Sequence, residues 1–205
     1  NLAFYECYGI EGMRALDATV DYIRSKYPEI FLIADAKRGD IGNTAKMYAK
    51  AFFEEMDFDA VTIAPYMGAD SVTPFLEYKD KWAIVLALTS NASAYQFQTA
   101  VKDGKPLYQA VMEEMMEIST PDNMMFVVGA TKADKLQELR SFCQDNFFLV
   151  PGVGAQGGSA EEVIANGAND HGGLLINSSR AILFADSTEN YAKVAGEVAA
   201  VTANL

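Results

Sequence analysis

Apolar runs and amphipathic segments alternate along this whole chain, and that alternation constrains its fold more than any other feature. The strand candidates are Leu2–Glu6, Ile30–Asp35, Ala60–Ala64, Trp82–Leu88, Met124–Val128, Phe147–Val150 and Leu174–Asn177. Between them, Met13, Leu16, Val20 and Ile23 recur at helical spacing, as do Leu107, Val111 and Met115, and Tyr191, Val194 and Val198. Strict β-α alternation with short connections predicts a parallel sheet covered by helices. Such a sheet either stays open and doubly wound or closes into a barrel. A (β/α)8 barrel takes about 250 residues. With 205 residues and a first segment that already reads as strand, the expectation is a (β/α)8 barrel whose first βα unit is absent from this sequence.

No Ser/Gly-rich, Pro-rich or low-complexity stretch reads as a linker, so residues 1–205 are expected to form one barrel domain, strands two to eight. A net charge of -12 and a pI near 4.5 argue against a general nucleic-acid binder, which needs a basic face. An anionic ligand must then be held by a few local cations. Cys7 and Cys143 lie far apart and show no metal-ligand spacing; the expectation is two buried thiols in a reducing, cytoplasmic setting. No run approaches the roughly 20 apolar residues of a membrane span, so no membrane partner is expected.

The richest chemistry lies in Asp35-Ala36-Lys37-Arg38-Gly39-Asp40, at the end of the second apolar run. Alternation along a strand puts Asp35 and Lys37 on one face, and Asp40 follows at the turn. Carboxylates around a lysine stabilise its ammonium form. Such a group suits a reaction that builds negative charge on carbon and then requires a proton. A surface ion pair capping a helix has the same pattern. On a helix from Ile41 to about Glu55, Asp40 is the expected N-cap, and Asp40 and Thr44, at i and i+4, share a face.

Two further segments point to ligand binding. The stretch from Thr89 to Lys105 is a long connection following a strand, and long loops in compact domains are commonly functional. Pro151-Gly-Val-Gly-Ala-Gln156-Gly157-Gly158 precedes a helix expected from about Ser159, and backbone amides at a helix N-terminus attract anions. The next strand ends in Asn177-Ser-Ser-Arg180, and barrels frequently hold phosphate in the loops after strands seven and eight. Arg180 supplies a guanidinium fork suited to phosphate, at a helix start where a cation opposes the dipole.

Taken together, Asp35-Ala-Lys37-Arg-Gly-Asp40-Ile41-Gly-Asn-Thr44, Pro65-Tyr66-Met67-Gly68, Thr89-Ser90-Asn91, Pro151-Gly-Val-Gly-Ala-Gln156-Gly-Gly and Asn177-Ser-Ser-Arg180 resemble the motifs of orotidine 5′-phosphate decarboxylase, in its longer bacterial subgroup. The resemblance runs through essentially the whole chain in the expected order. It implies a phosphate-binding (β/α)8 barrel that forms homodimers with shared active sites and uses neither metal nor organic cofactor.

By resemblance, Lys37 faces the pyrimidine carbon that loses carbon dioxide, and Asp35 neighbours the departing carboxylate and orients Lys37. Ser90, with Asn91 beside it, contacts the base. Gln156, the amides of Gly157 and Gly158, and Arg180 surround the phosphate. Asp40, Ile41 and Thr44 belong to the substrate site, Asp40 and Thr44 reaching it in the partner subunit. The family also carries an aspartate at the end of the first strand and a lysine at the second, expected upstream of Asn1. Two alternatives stay open: a metal-dependent sugar-phosphate decarboxylase or aldolase of the same superfamily, and a non-catalytic phosphate-binding barrel if the chain starts at Asn1.

Overall fold

The computed structural model describes residues 1–130, 133–153 and 159–203, without the side chains of 133 and 134. The chain divides into two compact units: Asn1–Leu86 with Glu113–Met125, and Ala87–Met112 with Phe126–Leu205. In chain order the strands are β1 (Ile33–Arg38), β2 (Ala60–Ile63), β3 (Trp82–Leu88), a two-residue-per-strand hairpin of β4 (Val101–Lys102) and β5 (Lys105–Pro106), β6 (Met124–Val128), β7 (Phe147–Pro151) and β8 (Leu174–Asn177). The helices are α1 (Ala3–Glu6), α2 (Gly9–Lys26), α3 (Gly42–Lys50), α4 (Thr73–Leu76), α5 (Leu107–Glu117), α6 (Ala133–Phe142), α7 (Ala160–Gly167), α8 (Arg180–Leu183) and α9 (Tyr191–Thr202). No helix among the described residues is long and apolar enough to cross a membrane.

In the first unit the strand order is β1-β2-β3-β6. β1 runs parallel to β2, and β2 to β3, in an unbroken register from Ala60↔Trp82 to Ile63↔Val85. Every residue of β2 is buried, as in a strand covered on both faces. Ala45 and Ala49 are the buried positions of α3, and their small side chains let the helix lie close. The helix then widens into a π turn over Ala51–Glu55, in which consecutive Phe52 and Phe53 are both buried. Phe53 meets Phe75 edge to face at 6.1 Å, and Phe52 meets Phe58 in the same way at 6.4 Å.

The expected first strand, Leu2–Glu6, is instead the helical turn α1. Leu2 is buried and its N–H donates to the carbonyl of Asp35 at 3.1 Å, as a strand neighbour's would. Only that residue pairs so. The Asn1 side chain accepts from Ala3 N–H at 3.3 Å, Phe4 points to solvent, and Glu6 pairs with Arg38 of β1. Six strands, not seven, therefore occupy the parallel sheet among the described residues.

The second expected strand begins at Ile33 and runs on to Arg38, displaced from Ile30–Asp35. Ile30 and Phe31 are exposed, and Leu32 N–H is taken by the Asp59 carboxylate at 2.7 Å, so pairing with β2 starts at Ile33↔Ala60. The other strands lie within a residue of expectation.

In the second unit the order is β3-β6-β7-β8, with β7 and β8 parallel from Phe148↔Leu174 to Pro151↔Asn177. Arg140 of α6 is the chief polar fastener here. Its guanidinium donates to the carbonyls of Cys143, Gln144, Asn146, Gly167 and Gly173 at 2.7–3.0 Å, and lies 3.9 Å from the centroid of the Phe148 ring. Cys143 is buried as expected, but Cys7 is exposed, because α1 carries it on a turn whose only buried neighbour is Leu2. Ser159 caps α7 by accepting from Glu162 N–H, as the expected helix start requires. In α9 the expected apolar positions Val194 and Val198 are only half-buried, and Tyr191 is exposed.

Candidate active site

At the C-terminal end of β1 the strand departs from regular geometry. The register passes from Ala34↔Val61 to Arg38↔Ile63, so four steps along β1 oppose two along β2. Lys37, within this bulge, takes a left-handed backbone with φ of 48°. Its ammonium Nζ sits 2.5 Å from Asp35 Oδ1, which accepts from it. The two side chains the sequence placed on one face are thus joined, through a bulge and not through simple alternation. Half the Lys37 side chain remains solvent-accessible (49 %), so the ammonium is presented rather than sealed.

Thr62 of β2 completes this arrangement. It is fully buried, and a buried hydroxyl must be satisfied. Its Oγ1 accepts from the backbone N–H of Ala36 at 2.9 Å and of Lys37 at 2.8 Å, and donates to Asp35 Oδ1 at 3.1 Å. One donor and two acceptors are all that a hydroxyl has. The sequence reading missed this residue, although a threonine inside the apolar run Ala60–Ala64 was a visible signal.

Arg38 extends away from Lys37. It pairs with Glu6, donates to the Ala36 carbonyl at 3.1 Å and lies over the Tyr48 and Phe52 rings at 5.6 and 5.5 Å. Gly39 follows where an added Cβ would come within 3.2 Å of the Ala64 carbonyl oxygen. Asp40 does not join the Lys37–Asp35 pair. It lies before α3, outside the helix it was expected to share with Thr44, and its Oδ1 accepts the N–H of Ile41 at 2.8 Å. The helix begins only at Gly42, whose φ of 53° turns the chain into it. Ile41 and Thr44 are exposed, whereas Ala45 and Ala49 are buried.

In the second unit, the long connection from Thr89 to Lys105 holds a 3-10 turn (Ala92–Gln96) and the β4–β5 hairpin. Gln98 clamps its start: Gln98 Oε1 accepts Thr89 N–H at 2.8 Å, and Gln98 Nε2 donates to Thr89 Oγ1 at 2.8 Å. Thr89 Oγ1 in turn donates to Asn91 Oδ1 at 2.6 Å. Ser90 packs against Gly129, which directly follows β6 and was also missed from sequence. Arg180 opens α8, exposed, with no ion pair to a described side chain. Gln156, Gly157 and Gly158 lie outside the described residues. Among the described residues, no three His, Cys, Asp or Glu side chains gather as a metal site would.

Comparison with known proteins gives this architecture its class. The model of the orotidine 5′-phosphate decarboxylase / HUMPS family matches residues 1–195. Over 200 residues the chain is 56% identical to an orotidine 5′-phosphate decarboxylase of Phocaeicola vulgatus, spanning 97% of this chain and 74% of that protein. It is 54% identical over 204 residues to the protein of the same name from Christiangramia forsetii, spanning 100% of this chain and 75% of the relative. Among solved structures, the Leishmania donovani OMP decarboxylase superposes with a TM-score of 0.84 at 36% identity, covering 97% of this chain and 76% of that one. The fold is therefore that of the (β/α)8 barrels, as the alternation predicted. The chain belongs to the orotidine 5′-phosphate decarboxylase / HUMPS family.

Proposed function

We propose that this protein decarboxylates orotidine 5′-monophosphate to uridine 5′-monophosphate, in pyrimidine synthesis. The observation that carries the reading is the Lys37 ammonium held on Asp35 at the end of β1, in a chain of this family. The bond between the pyrimidine ring and its carboxylate breaks, carbon dioxide leaves, and the electron pair stays on the ring carbon. Lys37 stabilises that carbanion and donates the proton that completes the product; solvent then reprotonates the amine. Asp35 aims Lys37 by accepting from its Nζ.

A single ammonium about 4 Å from a carbanion contributes only ~4 kcal/mol at an effective dielectric of about 20. Enzymes lower barriers by roughly 8–23 kcal/mol. The remainder is assigned to binding energy from the phosphate and ribose, used to order the site. In this reading Arg180, Gln156 and the amides of Gly157 and Gly158 hold the phosphate, while Ser90 and Asn91 contact the base. The exposure of Thr44 on α3, and of Ile41 just before it, supports a homodimer in which Asp40 and Thr44 serve the partner's site and Ile41 belongs to the substrate site. One barrel domain, a cytoplasmic location and independence from metal and organic cofactors belong to the same reading.

The test is an ultraviolet assay of the complete protein with orotidylate. Turnover that persists in EDTA is the expected result. No consumption of substrate by well-folded protein would sink the assignment. Activity lost to chelator and restored by magnesium would favour a metal-dependent sugar-phosphate enzyme instead.

A further inference from the structure

We propose that Thr62 is a positioning residue for Lys37: its hydroxyl, on the neighbouring strand, holds the β1 bulge from which the ammonium is presented. The inference rests on the reading of Lys37 as proton donor. A left-handed lysine backbone is unfavourable by roughly 1–2 kcal/mol and persists only where surroundings impose it. In a regular strand successive amides point to opposite neighbours, so only one of Ala36 and Lys37 would face β2. The bulge breaks that alternation, since no register partner exists between Ala34 and Arg38, and both amides turn to β2. Thr62 Oγ1 takes both amides at 2.9 and 2.8 Å, so neither is left unpaired in the strained segment.

The third bond gives the hydroxyl its direction. With both lone pairs occupied, its proton goes to Asp35 Oδ1, the same oxygen that accepts from Lys37 Nζ. One atom thus fixes the backbone of Lys37 and the carboxylate that orients its side chain. Neither valine nor alanine can do this. Serine retains the hydroxyl and loses only a methyl group. The role is indirect, because Thr62 is buried and presents nothing to a substrate.

The test compares Thr62→Val and Thr62→Ser with the wild type in steady-state kinetics, beside uridylate affinity. Thr62→Val is expected to lower kcat by about tenfold to a hundredfold, as a misplaced reacting group does, with KM and uridylate affinity within about twofold. Thr62→Ser is expected to return kcat to within about threefold of wild type, because the hydroxyl is restored. A Val variant with wild-type kcat, or a Ser variant as damaged as Val, overturns the proposal.

Amide hydrogen exchange on the wild type keeps the question decidable if Thr62→Val does not fold. Ala36 and Lys37 amides should exchange as slowly as their ladder neighbours Ala34 and Val61; fast exchange at both overturns the proposal. A wild type inactive on orotidylate would remove the decarboxylase reading instead, and the exchange result would then decide the geometric role alone.

Discussion

Gly129 leaves no room for a side chain against Ser90: a Cβ built on it would lie 2.7 Å from both the amide nitrogen and the Cβ of Ser90, and 2.8 Å from its Cα. The carbonyl of Leu88 also accepts Gly129 N–H at 2.8 Å, so the two strand ends are locked together just where the loop departs. Because the clash is largely with backbone, Gly129→Ala must displace Ser90. Overpacking of this kind costs about 1–3 kcal/mol. The variant is expected to bind uridylate about tenfold or more weakly, each tenfold being about 1.4 kcal/mol. Titration calorimetry checks this, and unchanged affinity would detach Ser90 from base recognition.

Arg180 is exposed and without a protein counterion among the described residues, as a phosphate ligand is before its ligand arrives. Arg180→Ala should weaken uridylate binding by about 2–4 kcal/mol, the scale of a charge-assisted pair with some desolvation. Uridine, which lacks the phosphate, should bind both forms alike. Equal losses for nucleotide and nucleoside would place the effect elsewhere.

If Asp40 serves the partner's site, Lys37→Ala and Asp40→Ala chains should each be inactive alone yet regain activity on mixing. The mixed dimer of such a C2 assembly carries one intact and one doubly damaged site. Persistent inactivity after verified subunit exchange is evidence that Asp40 acts within its own chain, where its carboxylate now faces Ile41 N–H.

Arg140 closes five backbone carbonyls at once; Gly173 keeps the Phe148 N–H and Gln144 keeps Asn169 Nδ2, so truncation takes this donor chiefly from Cys143, Asn146 and Gly167. Arg140→Met should destabilise the fold by about 2–4 kcal/mol in urea, allowing for the partial exposure of the site. Activity measured in the absence of urea should change far less than stability. A loss below about 0.5 kcal/mol, the usual range for a surface change, would contradict the assignment.

Tyr78 donates its phenolic proton to Glu54 at 2.7 Å, and burial together with that carboxylate pushes its pKa up to about 12 from 10.0. The folded state therefore keeps a proton that the unfolded chain releases first. The stability this supplies is complete below pH 10 and fades as pH rises towards 12. Urea midpoints of wild type and Tyr78→Phe should accordingly converge over that interval. Parallel curves would show that the phenol contributes no such linkage.

Much of the fold was legible because strand and helix periods differ and because buried parallel strands read as apolar runs. That is why β3, β6 and β8 occur as expected. Leu2–Glu6 misled for a physical reason: a short apolar run is compatible with either period, and Asn1 starts a turn there. At β1 the apolar content of Ile30 and Phe31 marked the approach to the strand, while pairing was decided by Asp59 and Ala60 on the neighbour. The Lys37–Asp35 pair was also legible, but its route was not, since a bulge depends on a partner strand. Thr62 stood out as a polar residue in an apolar run, but its role, like that of Gly129, was not legible for the same reason. Their importance lies in what they touch across the sheet, not in any local pattern.

The bulge on β1 has a consequence for transplantation. The hydroxyl that satisfies it comes from a residue 27 positions further along the chain than Asp35. Grafting Asp35–Asp40 alone into another barrel would carry the lysine and its carboxylate without the atom that receives two displaced amides. The portable unit is two adjacent strands with their helical connection. A host offering valine at the neighbouring position would pull the graft back into regular pleating and turn the amine aside.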